Sequence, residues 1–383
     1  MTLESPTGPE DLTAEWLTEV LLQSGTIVRS KVATFTSEKI GDAGFIGELA
    51  RLKLQYVGLE ECGPPSIIVK FSNADAFQRR IFHGIGLYER EVRFYTEFAR
   101  RSPLPTPACY HAEVARDTGR SVLLLEDLSH LRTIDVSAGC GHSDARALAH
   151  SLAEFHAYWW NHAEVVEQAH KFPVDRMLGI WHALYKGSWP EFSDRLRLHL
   201  PKVDLPAEFL ELGDRLFQCS GDVFGALAEP PVTLVHMDIH LDNLAFDSPA
   251  GSLPPVVFDW QTCAVGRGVL DLAYFVISAL PVAVRRQEEE SLVATYHDLL
   301  VEHGVRGYAI EECWADYTRA SLWNLLLLPG MLADESPSAE RLKYVEAVLP
   351  RLVAFFSDHS VSRFVEQWSG DHEQSPNKAM RAE

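Results

Sequence analysis

Two short apolar runs, each followed at once by an acidic loop, constrain this chain more than any other feature. The first runs Val232-Thr-Leu-Val235 into His236, Met237 and Asp238, and continues to Asp242 and Asn243. The second runs Pro255-Val-Val-Phe258 into Asp259, Trp260 and Gln261. Apolar runs of this length read as buried strands. A strand end is where a rigid scaffold hands side chains to a loop. Asp238 stands past the first strand with Asn243 five positions on, and Asp259 stands past the second. Phosphoryl transfer needs a carboxylate to take a hydroxyl proton, plus an Asn and an Asp to hold Mg²⁺ on the phosphates. Asp-x-x-x-x-Asn followed by a second strand-end Asp has that order and spacing.

Other readings of the same residues stay open at this point. Either Asp alone is an ordinary turn residue. His236, Asp238, His240 and Asp242 alternate, as zinc ligands around a bound water do, which would make a metal-dependent hydrolase. No His-x-His or His-Glu-x-x-His partner occurs elsewhere in the chain. His236 itself reads as a structural histidine.

His236 to Asn243 together with Asp259-Trp260-Gln261 resembles the catalytic core of the aminoglycoside phosphotransferase and choline kinase-like superfamily. The likeness is strongest to the bacterial ecdysteroid kinase-like members. Those families carry His-Gly-Asp where this chain has Met237 in the middle. The resemblance implies an α+β, two-lobed protein kinase-like fold, with a small β-rich N-lobe, a larger mainly helical C-lobe, and ATP in the cleft. The implied division is residues 1–126 for nucleotide binding and 127–368 for catalysis and acceptor binding, with a polar tail over 369–383 expected to be disordered.

The upstream chain fits that order. Thr13 is placed to cap a helix carrying Trp16, Leu17, Val20 and Leu21, and Gly25 ends it. Gly41, Gly44 and Gly47 lie in a strand-turn-strand where backbone N–H groups can approach phosphates, or where there is only a plain hairpin. The resemblance makes this a nucleotide-covering loop. Lys70 closes the apolar run Ser66 to Phe71 and is costly to bury without an anion. The resemblance pairs it with Glu91 on the next helix and sets it on the α- and β-phosphates. It makes backbone groups near Glu126 and Leu128 the adenine-binding hinge, Asp238 the catalytic base, and Asn243 and Asp259 the Mg²⁺ ligands. Asp271 opens an apolar helical run and is read as capping it or bracing the catalytic loop, a role the resemblance makes mainly structural. His156 is read as structural, and Glu288 to Glu290 as a solvated helix face.

Composition narrows the setting. A net charge of −20 argues against nucleic-acid or anionic-membrane partners. Six scattered cysteines without a Cys-x-x-Cys pair suggest neither a zinc ribbon nor a disulfide framework. The first residues are acidic and polar with no apolar h-region, so a cytoplasmic chain is expected. The expected activity is ATP- and Mg²⁺-dependent transfer to a hydroxyl of a small molecule: an antibiotic, amino alcohol, sugar or steroid-like alcohol. A nucleotide-binding relative without catalysis remains the alternative.

Overall fold

The structure, a computed structural model, describes residues 4–40, 47–58, 63–168, 174–247, 253–363 and 365–366. In chain order its regular elements are α1 (Ala14–Gln23), β1 (Lys31–Lys39), β2 (Gly47–Val57), β3 (Ser66–Ser72), α2 (Ala76–Gly84), α3 (Leu87–Arg93), β4 (Cys109–Val114), β5 (Ser121–Glu126), α4 (His142–Trp159), α5 (Ala163–Gln168), α6 (Val174–His199), α7 (Ala207–Gly225), β6 (Thr233–Val235), β7 (Leu244–Ala245), β8 (Val256–Val257), β9 (Ala264–Gly266), α8 (Val269–Ala279), α9 (Val282–Glu302), α10 (Ile310–Ala320), α11 (Leu322–Met331) and α12 (Ala339–Asp358). They form two compact units. The first comprises Met1–Arg132, Ala245–Ser248 and Val256–Cys263, and the second the remainder.

The first unit is built on an antiparallel sheet in the order β1-β2-β3-β5-β4. β2 alternates buried and exposed positions, so one face takes the core. α1 lies on that face. Thr13 caps it by accepting the Trp16 N–H at 3.1 Å, and Gly25 leaves it at φ +72°. Trp16, Leu17, Val20 and Leu21 pack with Leu52, Ile67, Val69, Phe71 and Leu124. Each such side chain contributes about 1.5–3 kcal/mol on burial.

The second unit is organised on α8. All eleven of its residues are buried, as expected for a helix surrounded by other elements. Among those elements are α10, α11 and α12. β6 pairs antiparallel with β9, setting Val235 opposite Ala264. α4 packs along α9.

One expectation is corrected here. Glu288 and Glu289 of α9 are 4% and 6% exposed rather than solvated. Glu288 accepts from His142 and Arg146, and Glu289 from Tyr317 and His359. The acidic triplet reads as surface in one dimension, but Glu288 is met by cations of α4, and Glu289 by Arg285 four residues earlier on α9 and by His359 just past α12. No described helix is long and apolar enough to cross a membrane.

Candidate active site

In the first unit, β3 carries Lys70 inward between Leu49 of β2 and Leu123 of β5. Its side chain is 9% exposed, and its Nζ donates to Glu91 Oε1 at 2.8 Å and to Asp259 Oδ1 at 2.9 Å. Burial alone would lower the Lys70 pKa, but the Asp259 and Glu91 carboxylates outweigh it and hold the ammonium charged. Burial pushes Glu91 up to about 7 against the pull of Lys70. Two carboxylates thus share one ammonium. An ammonium has three donors, so these two carboxylates leave one of its protons over.

The scaffold behind this cluster is tight. Neighbouring Arg90 on α3 donates to the Cys263 carbonyl at 2.7 Å. Phe94 stacks on Trp260 with ring centres 3.6 Å apart. The helix bearing Glu91 and the loop bearing Asp259 are therefore fixed to one another. Asp259 sits at φ +64°, ψ +66°, a left-handed conformation that costs a non-glycine residue about 1–2 kcal/mol. Its side chain is 37% exposed.

The other residues that the resemblance assigned to the nucleotide fall as follows. Gly47 opens β2 opposite Ser72, and a Cβ there would lie 2.3 Å from the Phe71 carbonyl oxygen. Its glycine is dictated by strand packing. Gly41 and Gly44 lie outside the described residues. Glu126 ends β5; its N–H donates to the Ala108 carbonyl and its carboxylate accepts the Ala108 N–H. The Leu128 carbonyl accepts from Leu131. Between them Asp127 is clamped by Arg51 and Ser66. Burial raises its pKa, but the Ser66 and Arg51 hydrogen bonds win and bring it down to about 2.

In the second unit, β6 ends at Val235 and the chain turns through His236 to Asn243. Asp271 of α8 organises this turn. It is fully buried; its Oδ2 accepts the His236 N–H at 2.7 Å and its Oδ1 the Met237 N–H at 2.8 Å. Trp323 of α11 donates its indole N–H to the Met237 carbonyl at 3.0 Å. Met237 is fully buried and holds φ +68°, the region a glycine takes without strain. The side chain is accommodated because both peptide groups around it are tied down. His156, also buried, lies between Tyr296 and Asp271, so its role is structural.

Asp238 and Asn243 come together. Asn243 Nδ2 donates to the Asp238 carbonyl at 3.0 Å and to its Oδ2 at 3.2 Å. Asp238 Oδ1 accepts from the Tyr274 hydroxyl at 3.1 Å, and Oδ2 lies 3.5 Å from His240 Nε2. Burial pushes the Asp238 pKa up, but His240, His236 and Tyr274 outweigh it, so the carboxyl ionises below its ordinary value. At neutral pH it is therefore a hydrogen-bond acceptor. The alternating His and Asp side chains do not assemble a metal cage. His236 and His240 each accept the amide two residues on with Nδ1. Among the described residues no three His, Cys, Asp or Glu side chains are grouped to hold a metal ion.

Tyr274 and Tyr344 were not legible as site residues. Tyr274 had one signal: it follows Asp271 by three positions, hence on the same side of α8. Tyr344 reaches it from α12, far along the chain.

Comparison with known proteins bears on the family and the fold. The sequence profile of the ecdysteroid kinase-like family matches residues 41–306. Choline kinase from Cryptosporidium parvum Iowa II superposes with a TM-score of 0.53 at 9% identity, over 86% of this chain and 91% of that one. A microcompartment-associated aminopropanol kinase gives a TM-score of 0.48 at 16% identity, over 89% of this chain and 98% of that one. No curated protein matches the sequence. The α+β protein kinase-like fold expected from the sequence is thus the fold present, with a β-rich first unit and a larger helical second unit. The family profile spans well over half of the residues, and the chain belongs to the ecdysteroid kinase-like family.

Proposed function

We infer that the protein transfers the γ-phosphate of Mg·ATP to a hydroxyl group of a small-molecule alcohol. The observation that carries this reading is the buried Lys70 ammonium shared by Glu91 and Asp259 at 2.8 and 2.9 Å. The two carboxylates keep the buried ammonium charged, and one of them stands on a left-handed residue whose side chain is 37% exposed. A charged lysine beside a carboxylate open to a cation is what phosphate binding needs. Membership of a kinase-like family supports the same reading.

The donor set fits Mg²⁺. Asn243 spends its Nδ2 on Asp238, which leaves Oδ1 as its atom for a cation, and Asp259 offers a carboxylate. Side-chain oxygens of these two kinds, with phosphate and water completing the shell, are what this ion accepts. Bound there, it would neutralise charge on the β- and γ-phosphate oxygens. Lys70, oriented by Glu91, would align the phosphates. Asp238 would accept a hydrogen bond from the acceptor hydroxyl and take its proton as the new O–P bond forms. Asp271, through the His236 and Met237 amides, keeps that base in place. Catalysis in this scheme is positioning and electrostatics. Residues 1–126 would serve the nucleotide, and residues 127–368 the chemistry and the acceptor.

Thermal unfolding with Mg²⁺, ATP, both or neither tests the reading. A ligand at about 100 times its Kd stabilises by about 2.7 kcal/mol, a shift of roughly 5–10 °C for units of this size. A shift that needs both components is expected. No shift with saturating Mg·ATP would remove the nucleotide site.

A further inference from the structure

We propose that Tyr274 is a positioning residue for Asp238 and that Tyr344 acts through it, the two phenols forming a one-way hydrogen-bond chain that immobilises the base. This rests on the reading of Asp238 as the proton acceptor. An ionised carboxylate has no proton to give, so at the 3.1 Å contact Tyr274 is the donor. A phenol has one proton. The 3.0 Å contact between the Tyr274 and Tyr344 hydroxyls therefore runs from Tyr344 to Tyr274. The direction, Tyr344 to Tyr274 to Asp238, follows from the donor inventory alone.

Burial makes the chain consequential. Tyr274 and Tyr344 are 1% and 8% exposed, so water is a poor substitute for either partner, and chained hydrogen bonds polarise one another in such surroundings. The other carboxylate oxygen is held from the opposite side by Asn243 Nδ2 at 3.2 Å. The His240 ring meets both tyrosine rings edge-on, at 6.3 and 5.8 Å. With both oxygens engaged, the carboxylate cannot swing about χ2. α8 thus fixes the base twice, through Asp271 on the loop backbone and through Tyr274 on the side chain. No proton needs to pass along the chain. The acceptor O–H proton goes to Asp238, the acceptor oxygen bonds phosphorus, and the ADP oxygen leaves with the bonding pair.

The test uses Mg·ATP with water as the phosphoryl acceptor, following ADP release. Tyr274→Phe should lower kcat about tenfold, the loss of one hydrogen bond to a charged group, with KM for Mg·ATP unchanged. Tyr344→Phe should lower kcat less. The double variant should be no slower than Tyr274→Phe, because the Tyr344 hydroxyl is linked to Asp238 through the Tyr274 hydroxyl and Phe keeps the ring that packs on His240. Wild-type kcat in Tyr274→Phe, or multiplicative losses in the double variant, would overturn the proposal. Asp238→Ala separates the two readings: if it hydrolyses ATP at the wild-type rate, the kinase assignment of Asp238 fails. If it is inactive while Tyr274→Phe is not impaired, only the positioning role fails. A second measurement needs no turnover. Unfolding midpoints of Tyr274→Phe, Asp238→Ala and their combination should be non-additive, and additive shifts would refute the hydrogen bond itself.

Discussion

Replacing Asp271 by Asn keeps the shape of the side chain and removes its charge. In the native protein its two oxygens each accept one backbone N–H, from His236 at 2.7 Å and Met237 at 2.8 Å, in a fully buried position. Hydrogen bonds to a charged group contribute about 1.5–3 kcal/mol each. The Asn oxygen can still accept one N–H as a neutral partner, losing about 1 kcal/mol. The Asn NH₂ would face the other N–H, losing that bond and leaving a buried donor unpaired, at about 2–4 kcal/mol. The sum is about 3–5 kcal/mol, or on the order of 10 °C in Tm for a unit of this size. There is a second effect. Met237 holds φ +68° at a cost of about 1–2 kcal/mol, and the Asp271 bonds are what offset it. Without them Met237 relaxes and Asp238, its neighbour, turns with it. Misplacement of a reacting group by about 1 Å costs roughly a hundredfold in rate. Calorimetric unfolding and ADP release measure the two effects on the same sample. A Tm within about 2 °C of wild type together with wild-type turnover would refute the reasoning.

Asp238→Ala should lose several powers of ten in kcat while a titration shows Mg·ATP affinity retained; lost affinity would place Asp238 on the nucleotide instead. Lys70→Met leaves Glu91, 1% exposed, without its cation. Breaking such a pair costs about 3–5 kcal/mol, so denaturant unfolding should move earlier and Mg·ATP binding weaken, and an unchanged midpoint would contradict it. Gly47→Ala drives a Cβ to 2.3 Å from the Phe71 carbonyl and should destabilise the first unit by about 1–3 kcal/mol; a stabilised variant would mean that β2 and β3 yield freely. Asp127 has a depressed pKa, about 2 folded against 3.8 in its ordinary state. Its stabilisation is therefore present above pH 3.8 and lost as pH falls through about 2. Urea unfolding of Asp127→Asn should show a flatter acid limb than wild type, and identical limbs would contradict the assigned clamp.

Much of the site could be read before any coordinates because its residues sit at strand ends in a fixed order. Lys70 closing an apolar strand demanded an anion, and Glu91 lies on the next helix but one, 2.8 Å away. The loop after β6 carries its own spacing, and it closes on itself where Asn243 donates to the Asp238 carbonyl at 3.0 Å. The brace from Asp271 was legible only as one of two readings, since an Asp opening an apolar helix can equally cap it. What stayed hidden came from elements remote in sequence. Tyr344 reaches Tyr274 from α12, and Trp323 reaches Met237 from α11. Neither contact has a local periodicity to announce it. Glu288 and Glu289 misled largely for the same reason: the cations of Glu288 lie on α4, and Glu289 adds Tyr317 of α10 and His359 past α12 to its i,i+4 neighbour Arg285. The departure at Met237 explained itself only in three dimensions, where Asp271 and Trp323 hold both flanking peptide groups.

The most direct test of the kinase account is transfer of labelled phosphate from Mg·[γ-³²P]ATP into a pool of small alcohols spanning amino alcohols, sugars, sterols and antibiotics. The account predicts an acid-stable organic phosphate that forms with wild-type protein and is lost with Asp238→Ala. Label appearing equally with both proteins, or none from any alcohol class while Mg·ATP binds, would contradict it.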